Sequence, residues 1–319
     1  MKGLTVITHD GDFHPDEVFA MVLIDNFIDR VGKIIRTRDK NIIEQGQEDS
    51  DTIVLDVGRQ YCDFMLNFDH HQSSMKLKWN KSDGGIDTLL SSTGLVFKYL
   101  KENNLFVSDG YEYNDKEIDI LKRDYVIPID AHDNGVKQWK LASLVSGYNR
   151  NIDNDIQFQK VFNMMKKLFK DNFEHQIKEK AQRLIETEIA CKDDLITLEN
   201  KNGKLIKVLN SSNYNVDYNI AQDIIPDIDF FIKMKLEDGI ESWGIKTAKD
   251  PNTVYDQFSM KNKVPQDIID NFNKNKNINY LVNNEKSSNG YIHFIHSNGF
   301  YSIVVGNIDN ALSFCKNIV

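Results

Sequence analysis

Apolar positions in this chain gather into short β-branched runs, and polar residues close each run. Residues 4–8 (LTVIT) make one such run, which stops at His9 and Asp10. From 16 to 31, Val18, Phe19, Met21, Val22, Leu23, Ile24, Phe27, Ile28 and Val31 leave almost no polar face. That pattern predicts a helix buried against a sheet. Residues 34–38 read as the next strand. Residues 52–57 (TIVLDV) read as a stronger one, continuous and β-branched as in a parallel sheet covered on both faces. A helix is expected over 89–100, and a further short strand over 125–129, ending at Asp130-Ala-His-Asp133. Strands alternating with helices predict an α/β fold with a doubly wound, mainly parallel sheet over residues 1–148.

Beyond this, residues 149–155 (NRNIDND for 149–155) read as a linker. Residues 156–193 carry Phe158, Val161, Phe162, Met165, Leu168 and Phe169 on one face of one or two long helices. Residues 149–200 are therefore expected to be linker and long helices. Residues 201–319 are expected to form a second, smaller α/β domain. Its strands are placed at 205–209, 230–234, 243–247, 291–295 and 301–305, its helix at 310–317, and a solvated loop at 271–277.

The polar residues that close the strands carry the chemistry. In open α/β sheets ligands bind at the carboxyl ends of strands, which brings His9, Asp56, Asp130 and Asp133 toward one crevice. Thr8–Glu17 packs two histidines and four acids into ten residues. Asp56-Val-Gly58 closes a strand, and Phe68-Asp69-His70-His71-Gln72 follows. Taken singly, Glu17 reads as a charge at a helix N-terminus, Asp12 as a loop acid and Asp56 as a helix cap. Taken together they read as a metal centre. Carboxylates about 4 Å apart repel by roughly 4 kcal/mol at an effective dielectric near 20, and a bound cation relieves that. A His/Asp set without thiolate suits Mn²⁺ or Mg²⁺. Two such ions would clamp and activate water for attack on phosphorus. HExxH, GxxxxGK[ST], PCxxC and GxSxG are all absent, which removes zincins, P-loop enzymes, zinc deaminases and serine hydrolases.

Composition narrows this only slightly. The net charge of −9 argues against nucleic-acid binding through the overall field, though not against a phosphate substrate. Three cysteines form no CxxC pair, which suggests a reducing compartment. The first residues show no signal-peptide pattern, so a cytoplasmic location is expected. No apolar run approaches the roughly 20 residues of a membrane helix.

The motifs resemble a known family. Thr8–Ala20 (THDGDFHPDEVFA), LDVG at 55–58, FDHHQ at 68–72, LSSTGLVFK at 90–98 and DAHDNGV at 130–136 are similar to the melanocyte-proliferating-gene-one exonuclease family, related to the DHH phosphoesterase superfamily. The resemblance implies a DHH-like catalytic domain and metal-dependent hydrolysis, with 3′→5′ exonuclease action on single-stranded RNA. It implies His9, His14, Asp16, Asp56, Asp69, His70 and Asp130 as metal ligands, with Asp56 bridging two ions; spacing leaves Asp133 as the alternative to Asp130. It also implies catalytic roles for Asp69, His70 and His71. The second domain would bind substrate through Lys261, His296 and Gly299; Lys261 stands where the family pattern has arginine. Pyrophosphate, a cyclic dinucleotide or a short oligonucleotide is the alternative substrate. A metal-binding regulatory protein without catalysis is the second alternative.

Overall fold

The computed structural model describes residues 3–149, 153–237, 240–250, 262–274, 280–281 and 291–319. The chain divides into two compact units, Met1–Ala181 and Gln182–Val319.

In the first unit, β1 (Leu4–Thr8) leads through a polar loop into α1 (Pro15–Phe27). There follow β2 (Val31–Arg36), α2 (Lys40–Glu48), β3 (Thr52–Leu55), β4 (Tyr61–Cys62) and β5 (Asn67–Phe68). Among the described residues these strands make a five-stranded sheet in the order β2-β1-β3-β5-β4. Its β2, β1, β3 and β5 pair in parallel, and only the edge strand β4 is antiparallel. Strand alternation sends Val6, Ile53, Leu55 and Phe68 to one face, where α1 packs, and Ile7 and Val54 to the other, against Ile43 of α2. Helices thus cover both faces, as the β-branched runs predict. Every residue of α1 from Pro15 to Ile24 is buried, which accounts for its lack of a polar face.

Further helices complete this unit: α3 (Ser92–Glu102), α4 (Ile127–Asp133) and α5 (Asn154–Leu168), with α6 (Glu174–Asp193) continuing past its end. Helix α1 packs against α3, α4 and α5. The long helices expected within 149–200 form, and those up to Ala181 belong to the first unit. Phe158, Val161, Phe162, Met165, Phe169, Phe173 and Ile177 join the first core. The side chain of Asn149 grips the Phe13 backbone, accepting from its N–H at 3.0 Å and donating to its carbonyl at 2.8 Å.

Residues 125–129 are helical, not a strand. A π-helical turn, Lys122–Val126, runs directly into α4. An apolar run of five residues fits a buried helix as well as a strand. The correction moves Asp130. Its carboxylate accepts hydrogen bonds from the Ser91 hydroxyl at 2.6 Å, the Trp79 indole N–H at 2.6 Å and the Gly94 N–H at 3.0 Å. Asp130, expected as a metal ligand, is instead a buried anchor that ties α4 to the start of α3. Burial pushes its carboxyl up, the three donors oppose this, and it comes to about 7.

In the second unit, β6 (Leu195–Glu199), β7 (Leu205–Asn210), α7 (Tyr218–Ile224), β8 (Phe230–Glu237) and β9 (Ile240–Thr247) come first. Then come α8 (Gln266–Lys274), β10 (Tyr280–Leu281), β11 (Tyr291–Ile295), β12 (Tyr301–Val305) and α9 (Ile308–Ile318). Among the described residues the sheet order is β6-β7-β8-β9-β12-β11-β10. Only β7 and β8 pair in parallel. The loop expected at 271–277 is helical as far as Lys274, and 275–277 lie outside the described residues. Among the described residues no helix is long and apolar enough to cross a membrane.

A Cβ at Gly94 would lie 2.1 Å from Asp130 Oδ2, so Gly94→Ala should cost about 1–3 kcal/mol or more by overpacking, read as a lower urea midpoint. The Asp130 carboxyl sits higher in the folded chain than in the unfolded one, so the fold holds its proton longer. That stabilisation is fully present below about pH 4 and is lost as pH rises to about 7. Between pH 5 and 8 the wild type should lose roughly 2–3 kcal/mol that Asp130→Asn does not. Parallel unfolding curves for the two proteins across that range would contradict this.

Candidate metal centre

Three carboxyl ends of parallel strands and the first turn of α1 meet at one place. His9 follows β1 and is 3% exposed. Its Nε2 lies 3.3 Å from Glu17 Oε1 and 3.3 Å from Asp56 Oδ2. Its Nδ1 lies 2.9 Å from the Asp10 carbonyl, which turns Nε2 toward the two carboxylates.

Asp56 follows β3 and holds a left-handed backbone, φ 54°, unfavourable for a residue with a Cβ. Its Oδ1 lies 3.3 Å from His70 Nε2 and 3.3 Å from His71 Nδ1. Asp16 and Glu17 are fully buried in the first turn of α1. There the helix N-terminus favours negative charge, and Glu17 Oε1 also accepts from the His14 N–H at 2.8 Å. Asp133, from the end of α4, lies 3.4 Å from His70 Nε2.

Ligand atoms within 4.8 Å of one another form three overlapping groups: His9, His14, Glu17 and Asp56; Asp56, His70 and His71; His14, Asp16 and Asp133. Asp56 and His14 each belong to two of them. Buried atoms without a hydrogen-bond partner collect here, namely both oxygens of Asp16, Glu17 Oε2, Asp56 Oδ1 and His70 Nε2. Unpaired buried acceptors are expensive. Several converging on one point, with imidazole nitrogen and carboxylate oxygen as donors and no thiolate, fit a hard or borderline divalent cation.

The electrostatics agree. Burial would lower the His9 imidazole, but the Asp56 and Glu17 carboxylates overcome it and lift it to about 10. Burial, with repulsion from Asp56, Asp133 and Glu17, pushes Asp16 well up. Asp133 is raised by burial too. Asp56 is held below the usual carboxylate range by His70 and His9 in spite of burial. The carboxylates around His70 outweigh its burial and raise it, and Asp69 raises His71.

Of the expected residues, His9, His14, Asp16, Asp56, His70 and His71 come together. Asp69 does not join them as a ligand. Its Oδ1 accepts from His71 N–H at 2.9 Å and lies 2.8 Å from His71 Nδ1, and its Oδ2 accepts from the Arg59 N–H. Both oxygens are engaged, so Asp69 orients His71 from behind. Of the two alternatives Asp130 and Asp133, it is Asp133, one helical turn on, that lies with the candidate ligand groups. Glu17 joins the candidate ligand groups while also serving the capping box of α1, beyond the helix N-terminal charge its sequence position suggested.

In the second unit, His296 and Gly299 occupy the tight turn between β11 and β12. Gly299 has φ 70° and donates to the His296 carbonyl at 2.7 Å. Imidazole Nδ1 of His296 accepts from the Asn298 N–H at 3.1 Å. The turn borders a cleft lined by Lys263, Pro265, Gln266, Ser297 and Asn298. Lys261 lies outside the described residues.

Comparison with known proteins places the chain. A protein named MYG1 protein from Dictyostelium discoideum is 30% identical over 201 residues, covering 55% of this chain and 57% of that protein. A protein named MYG1 exonuclease from Homo sapiens is 33% identical over 139 residues, covering 41% of this chain and 36% of that one. The chain therefore matches less than two thirds of the length of these relatives. Among solved structures, a pGpG-specific phosphodiesterase from Vibrio aligns over 98% of this chain and 99% of its own, at 11% identity and a TM-score of 0.28. That similarity is too low to bear on fold or activity. The pattern of the MYG1_exonuc family, described as an uncharacterised protein family (UPF0160), matches residues 5–318. That match takes in every candidate ligand residue named above, and the chain belongs to the MYG1_exonuc family.

Proposed function

We propose that the chain is a divalent-metal-dependent phosphoesterase, acting as a 3′→5′ exonuclease on single-stranded RNA with two Mn²⁺ or Mg²⁺ ions. The observation that carries this reading is the convergence of the buried Asp16, Glu17 and Asp56 carboxylates on the imidazoles of His9 and His70, with both Asp16 oxygens and Glu17 Oε2 making no hydrogen bond. The exonuclease name borne by the human relative supports the finer assignment.

The residues that would hold the ions are His9, His14, Asp16, Glu17, Asp56, His70 and Asp133, with Asp56 shared between groups. When bound, divalent ions supply Lewis-acid polarisation of a phosphoryl oxygen and a water acidified toward neutral pH. The protein's own part is orientation and proton movement. The Asp10 carbonyl orients the His9 ring through Nδ1, so that Nε2 faces the centre and is the nitrogen that exchanges its proton for a metal ion. Asp69 holds His71 Nδ1 and leaves Nε2 of this half-exposed ring at the mouth of the site. There, with its basicity raised by Asp69, it can carry a proton to the departing oxygen.

Mn²⁺-loaded protein should release mononucleotides from the 3′ end of a single-stranded oligoribonucleotide. Asp56→Asn should slow this about 10³-fold, the scale of several kcal/mol of lost transition-state charge stabilisation. Asp69→Asn should cost about 10–100-fold, as second-layer partners do. A panel of pyrophosphate, a cyclic dinucleotide and short oligonucleotides fixes the substrate. Absence of turnover on every phosphoester with Mn²⁺ bound would end this reading.

Metal and proton compete for His9. In the metal-free protein the His9 proton stabilises the fold fully below about pH 6.5, and this is lost as pH rises through about 10. Mn²⁺ has to displace that proton, so its affinity should rise with pH by up to about tenfold per unit between pH 6.5 and 9. Calorimetry in buffers of different ionisation enthalpy should detect proton release, smaller in His9→Gln. A pH-independent affinity would contradict the assignment of His9 as a ligand.

A further inference from the structure

A cleft of about 230 Å³ opens beside the ligand groups, and its wall includes His9, Asp56 and His71 together with two arginines, Arg38 and Arg59. In a chain with a net charge of −9, two guanidinium groups on one acidic cleft are an uneven placement of charge. Neither belongs to the metal-ligand set.

Arg38 is aimed by its neighbours. Its Nε lies 3.1 Å from Asp10 Oδ1, and its Nη2 lies 3.2 Å from His9 Nδ1 and 3.4 Å from the Asp10 carbonyl. Both partners of the Arg38–Asp10 pair are exposed, so the pair adds little stability. Its effect is to hold a planar fork against a metal-ligating ring. Among the described residues, Nη1 makes no hydrogen bond.

Arg59 is exposed and its guanidinium forms no ion pair among the described residues. Its backbone has φ 52°, beside Gly58 at φ 94° and Asp56 at φ 54°. A left-handed backbone is disfavoured for any residue with a Cβ and free for glycine. Glycine at 59 would keep the N–H that Asp69 Oδ2 accepts and would relieve the backbone. It would lack only the positive charge on the cleft.

We propose that Arg38 and Arg59 form a phosphate-binding wall, which takes the oxygens of a substrate phosphate beside the metal ligands. Arg59 presents a whole guanidinium fork, which matches phosphate oxygens two at a time, and Arg38 adds the free Nη1 as one further charged donor. The cleft is smaller than the roughly 300–1,000 Å³ of pockets for whole drug-sized ligands. It accommodates a phosphoryl group and leaves the rest of the substrate outside. The inference rests on the phosphoesterase reading of the site and adds the residues that grip the anion.

The test titrates inorganic phosphate into the full chain, with and without Mn²⁺, by calorimetry, and measures KM and kcat on bis(p-nitrophenyl) phosphate. Arg38→Gln and Arg59→Gln should each weaken phosphate binding about tenfold and raise KM by a similar factor, with kcat changed far less. Arg38→Lys should recover part of the loss. Arg59→Gly should unfold at or above the wild-type temperature yet bind phosphate as poorly as Arg59→Gln, which a structural role would not produce. Unchanged phosphate affinity in these variants, or loss only in step with unfolding temperature, overturns the proposal. If the wild type hydrolyses the diester and the variants match it, this inference alone falls. If phosphate binds in an arginine-dependent way but nothing is hydrolysed, the wall stands and the phosphoesterase reading falls. If the wild type binds no phosphate, the wall is refuted whether or not hydrolysis occurs.

Discussion

Repulsion among buried carboxylates is the constraint around which the first unit is organised. Asp16, Glu17 and Asp56 are each at most 5% exposed and crowd the same point. A single pair of such charges about 4 Å apart costs roughly 4 kcal/mol at an effective dielectric near 20, against a whole-domain stability of about 5–15 kcal/mol. Three features offset that cost without a metal. The N-terminus of α1 stabilises Asp16 and Glu17. His9 and His70 stand between the acids as proton carriers. Helix α1 itself is so completely buried that its apolar contacts, about 1.5–3 kcal/mol for each large side chain, oppose any retreat of its first turn from the cluster.

What was legible in the sequence follows from how each residue is held. Strands β1 and β3 and helix α1 have strong periodic or continuous apolar patterns, and the residues at their ends, His9, His14, Asp16 and Asp56, were readable from position alone. Glu17 was hidden because a glutamate three residues after a helix cap has an ordinary local role, and it performs that role as well. Asp133 was legible as a candidate beside Asp130, but the choice between them was not, because residues 125–129 are too short a run to separate strand from helix. In a helix, positions 130 and 133 lie about 60° apart around the axis, so one faces the Ser91 and Gly94 donors and the other faces His70. Asp69 carries a ligand-type side chain in a ligand-type motif. Only the geometry shows that both its oxygens are already engaged by His71 and Arg59.

The extent of the first unit illustrates a different limit. The apolar stripe of residues 158–169 was plain, but a stripe does not name the surface it covers. It covers the first core: the Phe13 ring lies edge-on to Phe158 with centroids 5.3 Å apart. The segment is therefore part of the scaffold of the candidate metal centre. Most of the strands of the second unit were legible for the usual reason, alternating β-branched residues between turns. Strand β6 was not, because only Asp194 separates it from the end of α6.

Arg36 and Arg38 are two residues apart in sequence and show how positive charge is kept out of the cluster. The Arg36 guanidinium is 4.6 Å from the Phe158 ring centroid and donates to the Gly11 carbonyl at 2.8 Å and to Asp155 at 3.0 Å. With the Asn149 grip on Phe13, it fastens the loop between His9 and His14 through backbone atoms. An arginine reaching the carboxylates themselves would neutralise them and occupy the place of a metal ion, as a direct ion pair in a buried site does. Gripping the loop at its carbonyls orients both histidines and leaves the ligand set anionic. Positive charge then remains at the rim, where it attracts an incoming anion without competing for the ligands.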